Sequence, residues 1–435
     1  MTNEYRSVNR RIAALAFPAI ISNITVPLLG LSDTAITGHL GDASFIAAIA
    51  AGGMMLNVVY WLFGFLRMGT TGLTADAYGA GADGQISAVL SRSVAIALTV
   101  GVAIVLLQGP LLGLLSGVIG AEPEVERLAG EYYRICIWGT PALLMTMSIN
   151  GWFIGMQNTV WPMAVSISVN VLNVAASLSA VFLLGLGFKG VAYGTLAANW
   201  AGLLLALVAL GRFAKGRRLW CGWKALWKGG ELRRFFGVNT DLFFRSACIM
   251  GVSLAVTAYG ARLGDLTLAV NAVMMQFFIL FSYFMDGLAY SGEALCGRSA
   301  GARDREGLMR SVGALTLWGA VAAVVFGLIY LLFLPQAVGL LTDVSEVRAG
   351  VVAMRFYVVA IPVLSAAAFL YDGFFIGLTA IRRMLVTTFL SAIFFFAIVW
   401  LGPKANATLW TAFLGYLLLR GVGLAAQLKH ALRAV

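Results

Sequence analysis

A chain of 435 residues with 60% hydrophobic and only 11% charged side chains is excluded from the water-soluble globular class, in which about a quarter of residues are charged. Its formal net charge of +11 invites a nucleic-acid partner, but the placement of that charge along the chain removes the reading. Four cysteines (Cys136, Cys221, Cys248 and Cys296) have neither metal-ligand nor disulfide-framework spacing and read as free thiols in apolar surroundings.

Hydropathy predicts twelve transmembrane helices, over about 10–36, 44–70, 85–117, 126–152, 160–185, 189–212, 233–261, 266–293, 308–340, 348–376, 383–402 and 407–428. None alternates in the manner of an outer-membrane barrel. Arg6, Arg10 and Arg11 lead straight into the first span with no small-residue cleavage site, so no cleavable signal is expected. With the N-terminus in the cytoplasm, the inward loops hold about twenty Lys and Arg and the outward loops about seven. The basic excess therefore sets topology and touches lipid headgroups. The expectation is a multi-pass protein of the cytoplasmic (inner) membrane, with both termini inside and no nucleic-acid partner.

The first span carries a carboxylate, Asp33, six residues beyond Pro27. A charge at bilayer depth costs roughly 2.5–3.5 kcal/mol, and helices that keep one usually use it for an ion or a proton. Pro27 removes a backbone hydrogen bond and supplies a hinge close to that charge. In the fifth span Asn170, Asn173 and Ser177 fall at i, i+3 and i+7, on one helix face, and in the sixth Thr195 and Asn199 fall at i, i+4. These side chains are candidate partners for Asp33. The plainer alternative is that they tie helices together, at about 0.6 kcal/mol each.

Beyond the basic, Trp-rich stretch 212–230, the seventh span holds Asp241 and Arg245 at i, i+4, expected to pair with each other. Asp286 and Glu293 share a face of the eighth span, and Asp372 sits in the tenth. Asp286 and Asp372 are candidates for a second cavity site, with Asp241 and Arg245 a structural pair that shapes cavity electrostatics. Glu293, near the cytoplasmic end, reads as structural. Neither histidine, His39 or His430, lies inside a span.

The halves repeat. Leu40-Gly-Asp42 recurs as Leu263-Gly-Asp265 (263 − 40 = 223), and Asn150-Gly-Trp-Phe-Ile-Gly155 as Asp372-Gly-Phe-Phe-Ile-Gly377 (372 − 150 = 222). Ala80-Gly-Ala82 recurs as Ala300-Gly-Ala302. Near-constant offsets predict a duplication with an even number of spans per copy: an N-terminal lobe 1–213, a cytoplasmic linker 214–231 and a C-terminal lobe 232–435, with substrate bound between the lobes. Opposite Asp33 the second half has Val256, so only the first half keeps this carboxylate. No Walker motif, metal cluster or activated nucleophile is present, which argues against an enzyme and against any cofactor.

Taken together, Leu31-Ser-Asp33-Thr-Ala, His39-Leu-Gly-Asp42, Gly151-Trp-Phe-Ile-Gly155, Val238-Asn-Thr-Asp241-Leu-Phe-Phe-Arg245 and Val270-Asn-Ala-Val-Met resemble the multidrug and toxic compound extrusion family. So do Asp286-Gly-Leu-Ala-Tyr-Ser-Gly-Glu293 and Tyr371-Asp372-Gly-Phe-Phe-Ile-Gly377. The match is nearest to the family's DinF-like branch. The resemblance implies an all-α fold of two pseudo-symmetric six-helix bundles forming a V-shaped central cavity. It also implies export of small amphipathic or cationic compounds against an inward flow of protons or sodium, and a coupling site at Asp33, Asn173 and Thr195. The chain departs from the family at Ser177, where a carboxylate often stands one turn after the Asn. One carboxylate favours protons over sodium, which needs more charged oxygens. The expected protein is a monomeric antiporter. The alternative is a flippase for a lipid-linked precursor, which would line its cavity with several cations, whereas here Arg245 is the cation well inside a span, with Arg67 and Arg420 nearer the ends.

Overall fold

A computed structural model describes residues 2–38, 40, 43–119, 122–214, 216, 219–222 and 229–432. His39, Gly41 and Asp42 of the repeated motif, and linker positions 223–228, lie outside them. The described residues are almost wholly helical: α1 (Thr2–Gly38), α2 (Ala43–Leu62), α3 (Phe65–Gly79), α4 (Asp83–Leu106), α5 (Gln108–Ile119), α6 (Pro123–Cys136), α7 (Thr140–Gly155), α8 (Val160–Leu178), α9 (Phe188–Phe213), α10 (Gly229–Arg262), α11 (Asp265–Gly301), α12 (Arg305–Leu341), α13 (Ser345–Ala353), α14 (Arg355–Gly377), α15 (Ile381–Leu401) and α16 (Asn406–Leu432). Ten segments have the length and hydropathy of a membrane crossing. Helix α1, and α6 joined to α7 through a 3-10 turn at Ile137–Gly139, have the length of two more, which makes twelve.

Several crossings are broken where the sequence forbids a continuous ladder. Pro141 opens α7 after the 3-10 turn, and Gly101 of α4 gives its backbone room, because a Cβ there would collide with the Pro141 ring. Helix α8 passes into a π-turn at Ser179–Leu183, so the fifth span is α-helical only up to Leu178.

The chain divides into two compact units that interleave along the sequence. One comprises Ile21–Ala77 and Ala82–Arg234, the other Met1–Ile20, Tyr78–Gly81 and Phe235–Val435. In the second, the base of α1 packs on the later helices: Ile20 fills the space left by Gly287, the Ser291 hydroxyl donates to the Ile12 carbonyl at 3.4 Å, and the Trp318 indole donates to Asn9 at 3.1 Å. The linker end belongs to the first unit, held by Arg92–Glu231 at 2.8 Å and Arg234–Asp76 at 2.7 Å.

Duplication is written into the backbone of both units. Left-handed residues close the turns after α3 and α11 at Gly81 and Arg303, and after α7 and α14 at Gln157 and Thr379, each pair 222 positions apart (303 − 81; 379 − 157). Gly151 and Gly155 press α7 onto α3, while Gly373 and Gly377 press α14 onto α11 at the same spacing. A methyl on Gly155 or Gly377 would lie 2.8 or 2.7 Å from the carbonyl oxygens of Thr71 and Glu293, so helices this close require glycine.

Candidate functional site

In the first unit, one turn of α1 sets Asp33 in the interior, 7% exposed. Thr37 donates its hydroxyl back to the Asp33 carbonyl at 2.6 Å, which fixes the local turn and leaves the carboxylate uncommitted. Asp33 Oδ1 is buried with no hydrogen-bond partner among the described residues. Near it on α6 is Tyr132, which sits in the space that Gly52 of α2 leaves open. The Tyr132 phenol is also next to Thr195 of α9 and Cys136. Asn173 of α8 donates its amide to Thr195 Oγ1 at 3.0 Å, and Thr195 donates to the Val191 carbonyl at 3.2 Å. Tyr132, Thr195 and Asn173 thus form a polar group near Asp33, the four side chains coming from four helices.

The remaining expected residues surround this group. Ser177, one turn past Asn173, is fully buried where Gly194 lets α9 approach α8. Like Asn173 Oδ1, its hydroxyl has no partner among the described residues. Asn170 donates to the Thr25 carbonyl at 3.1 Å, pinning α1 two residues before Pro27. Asn199 lies one turn beyond Thr195, against Gly139 in the break between α6 and α7. Sequence reasoning missed Tyr132. It stands among Glu131, Tyr133 and Arg134 at the start of a crossing, where a tyrosine reads as an interface anchor.

The second unit corrects two expectations. Asp241 and Arg245 do not pair. Arg245 binds Asp372 of α14, and Asp241 is bound instead by Arg382 at 3.3 Å. On α10 the i, i+4 spacing allows a local pair, but Arg245 turns to a buried acid on α14 while Asp241 meets the exposed Arg382 of α15. Arg420 also lies deep in the bundle rather than near an end: it is 3% exposed, and its guanidinium reaches the same Asp372 oxygen at 2.5 Å. It donates further to the Tyr416 hydroxyl at 3.3 Å. Asp372 is therefore clamped between arginines from α10 and α16. Asp286 is half-buried on α11 beside Tyr283, and Glu293, two turns on, is buried with its backbone under Gly377. Among the described residues no cluster of His, Cys, Asp and Glu could hold a metal ion.

A duplicated bundle of twelve membrane-spanning helices, with ionisable groups buried in each half, defines a polytopic membrane transporter rather than an enzyme. The MatE family model matches residues 18–179 and again 242–401, once in each half, and the chain belongs to this family. It is 34% identical over 429 residues to DNA damage-inducible protein F of Escherichia coli (strain K12), covering 97% of this chain and 92% of that protein. It is 27% identical over 354 residues to a probable multidrug resistance protein NorM of Rhizobium meliloti (strain 1021), covering 77% and 73%. Among solved structures, a MATE in the straight conformation superposes with a TM-score of 0.86 at 20% identity, covering 98% of this chain and 97% of that one. A MATE in the bent conformation superposes equally well at 18% identity, covering 98% and 96%.

Proposed function

We propose that this chain exports amphipathic, cationic compounds in exchange for protons by alternating access, with Asp33 as the coupling carboxylate. The observation that carries the reading is the contrast in how the buried acids are held. Asp372 is neutralised by two arginines, whereas Asp33 has no ion-pair partner among the described residues and its Oδ1 is buried with no hydrogen-bond partner there. An uncompensated carboxylate in an apolar interior favours its protonated form, and a proton taken up there removes a charge that a cationic substrate would otherwise find. Asn173, Ser177 and Thr195 supply the polar surroundings in which either form is tolerated.

In the proposed cycle, Asp33 takes a proton from the outside and its hydrogen bonds rearrange. Helix α1 then bends at Pro27 above the point where Asn170 holds it, and the cation leaves. The existence of straight and bent solved relatives supports a bend of this kind. Release of the proton to the cytoplasm resets the carrier. The lobes 1–213 and 232–435 would act as a monomer in the cytoplasmic membrane with both termini inside. A flippase of lipid-linked precursors is less well supported, because Arg245 and Arg420 are both engaged with Asp372.

The test is efflux of a fluorescent cationic dye from proteoliposomes, with pH and sodium gradients imposed separately on wild type and Asp33→Asn. Transport driven by the pH gradient and lost in the variant is the expected result. Sodium-driven transport of the wild type would replace the proton by sodium, and an active Asp33→Asn protein would move coupling to Asp286 or elsewhere in the second unit.

A further inference from the structure

The opening of α1 carries more positive charge than its packing uses. Arg6, Ser7, Arg10, Arg11 and Ala14 line an open cavity of about 450 Å³, a volume within the range of small-ligand sites. All three arginines are exposed, and none is ion-paired to an acid among the described residues. Arg6 and Arg10 stand at i, i+4, where like charges on a helix repel. An anion in the cavity would relieve that repulsion.

The cavity opens onto an apolar seam between α1 and α12, both in the same compact unit at this point. Arg6, Arg10, Ala14 and Phe17 follow one stripe of α1, at i, i+4, i+8 and i+11, while Ile12 and Ile20 meet Ser291 and Gly287 of α11. Phe17, exposed on that stripe, meets Trp318 of α12 edge to face with ring centroids 6.3 Å apart. Trp318 donates its indole N–H to Asn9, beside Arg10, at 3.1 Å, so its polar edge lies by the arginines and its apolar body by Phe17. Leu317 and Val321 extend the exposed apolar surface on α12. Seven residues separate Arg10 from Phe17 (17 − 10), about 10 Å along the helix. A bilayer's headgroup layer is about 5–8 Å deep on each side, so guanidiniums among phosphates leave Phe17 and Trp318 against acyl chains.

We propose that this cavity and seam bind an anionic phospholipid. The phosphodiester takes hydrogen bonds and charge from the Arg6, Arg10 and Arg11 guanidiniums, whose planar forks suit phosphate oxygens. The acyl chain lies along Phe17, Trp318 and Val321. Charge selects an anionic over a zwitterionic lipid, and the apolar seam selects a lipid over a free phosphate. With the N-terminus in the cytoplasm, as proposed above, the lipid belongs to the cytoplasmic leaflet. It bridges α1 and α12 and holds the base of the first helix in its unit. The site is independent of which ion drives transport.

The test titrates the full-length protein in neutral detergent with phosphatidylglycerol bearing a fluorophore on its acyl chain, and reads anisotropy. Unlabelled phosphatidylglycerol, phosphatidylcholine and glycerol phosphate serve as competitors. Each arginine near a lipid phosphate contributes about fivefold in affinity, so Arg10→Gln is expected to weaken binding about fivefold and the combined Arg6→Gln, Arg10→Gln, Arg11→Gln protein about a hundredfold. The combined Arg212→Gln, Arg233→Gln, Lys429→Gln protein, which loses the same charge at other exposed positions, should bind as wild type does. Phosphatidylglycerol should displace the probe at concentrations where phosphatidylcholine and glycerol phosphate do not. An equal loss in the two triple variants would overturn the site in favour of general surface charge. Displacement by phosphatidylcholine as good as by phosphatidylglycerol would overturn selection by charge, and equal displacement by glycerol phosphate would overturn the lipid. If the arginine triple variant fails to fold, Arg10→Gln decides: wild-type binding in it overturns the proposal.

Discussion

Asp33 and Asp372 are carboxylates of similar burial, at 7% and 6% exposure, in two units that share an ancestry, and the protein handles them in opposite ways. Asp372 has a guanidinium from each of two other helices on one oxygen, an arrangement that balances its charge and ties α10, α14 and α16 together. Asp33 has a phenol, a thiol and, beyond them, a threonine and an asparagine. Ion pairing makes a buried charge permanent, whereas neutral dipoles leave it free to come and go. Duplication supplied two frames of one design, and side-chain chemistry made one a fastener and left the other without an ionic partner among the described residues, as the proposed coupling role requires.

The sharpest way to break this contrast is Asp33→Asn, expected to abolish pH-driven export in proteoliposomes while leaving the thermal unfolding temperature in detergent at or above that of wild type, since a buried charge is removed. Next in size is Arg420→Ala, which strands part of the clamp. Removing one partner of a buried ion pair costs about 3–5 kcal/mol, and the loss should appear as a lowered unfolding midpoint. Unchanged stability in Arg420→Ala would remove the fastener half of the comparison. Gly373→Leu should cost about 1–3 kcal/mol by forcing α14 off α11, with Gly151→Leu costing a like amount between α7 and α3, because the two contacts are equivalent; denaturation of each variant checks the symmetry. The smallest effect is expected for Ser177→Ala, which deletes a hydroxyl that bonds to nothing among the described residues. Stability should change by less than about 1 kcal/mol while pH-driven transport falls, a pairing that separates coupling from packing.

Much of this organisation was legible in the sequence because it depends on local rules. Twelve apolar stretches, the basic bias of alternate loops and the 222-residue offset each follow from composition and spacing, and Asp33 stands out simply as a charge among Ile, Leu and Val. The i, i+3 spacing of Asn170 and Asn173 placed both on the face that meets α1 and α9. What local rules miss is partnership across helices. Asp241 and Arg245 look like a pair at i, i+4, and only packing reveals that each is engaged elsewhere. Arg420 looks terminal when spans are drawn from hydropathy, although α16 extends to Leu432 and buries it. Tyr132 is called to the site by a glycine 80 positions earlier in the chain (132 − 52), a relation no window of sequence contains.

The first helix has a consequence for how the molecule is assembled. Its stretch up to Ile20 packs in one unit and the rest in the other, and residues 78–81 cross back in the same way, with the Gly79 backbone seated against Arg298. The two halves are therefore stitched rather than strung together. Cut within 223–228, the N-terminal fragment would carry away the surface on which Gly287, Ser291 and Trp318 rest, and the C-terminal fragment would be left with an uncovered flank. Neither piece is a self-sufficient cassette, and a functional carrier should be recovered only when both are made in the same cell.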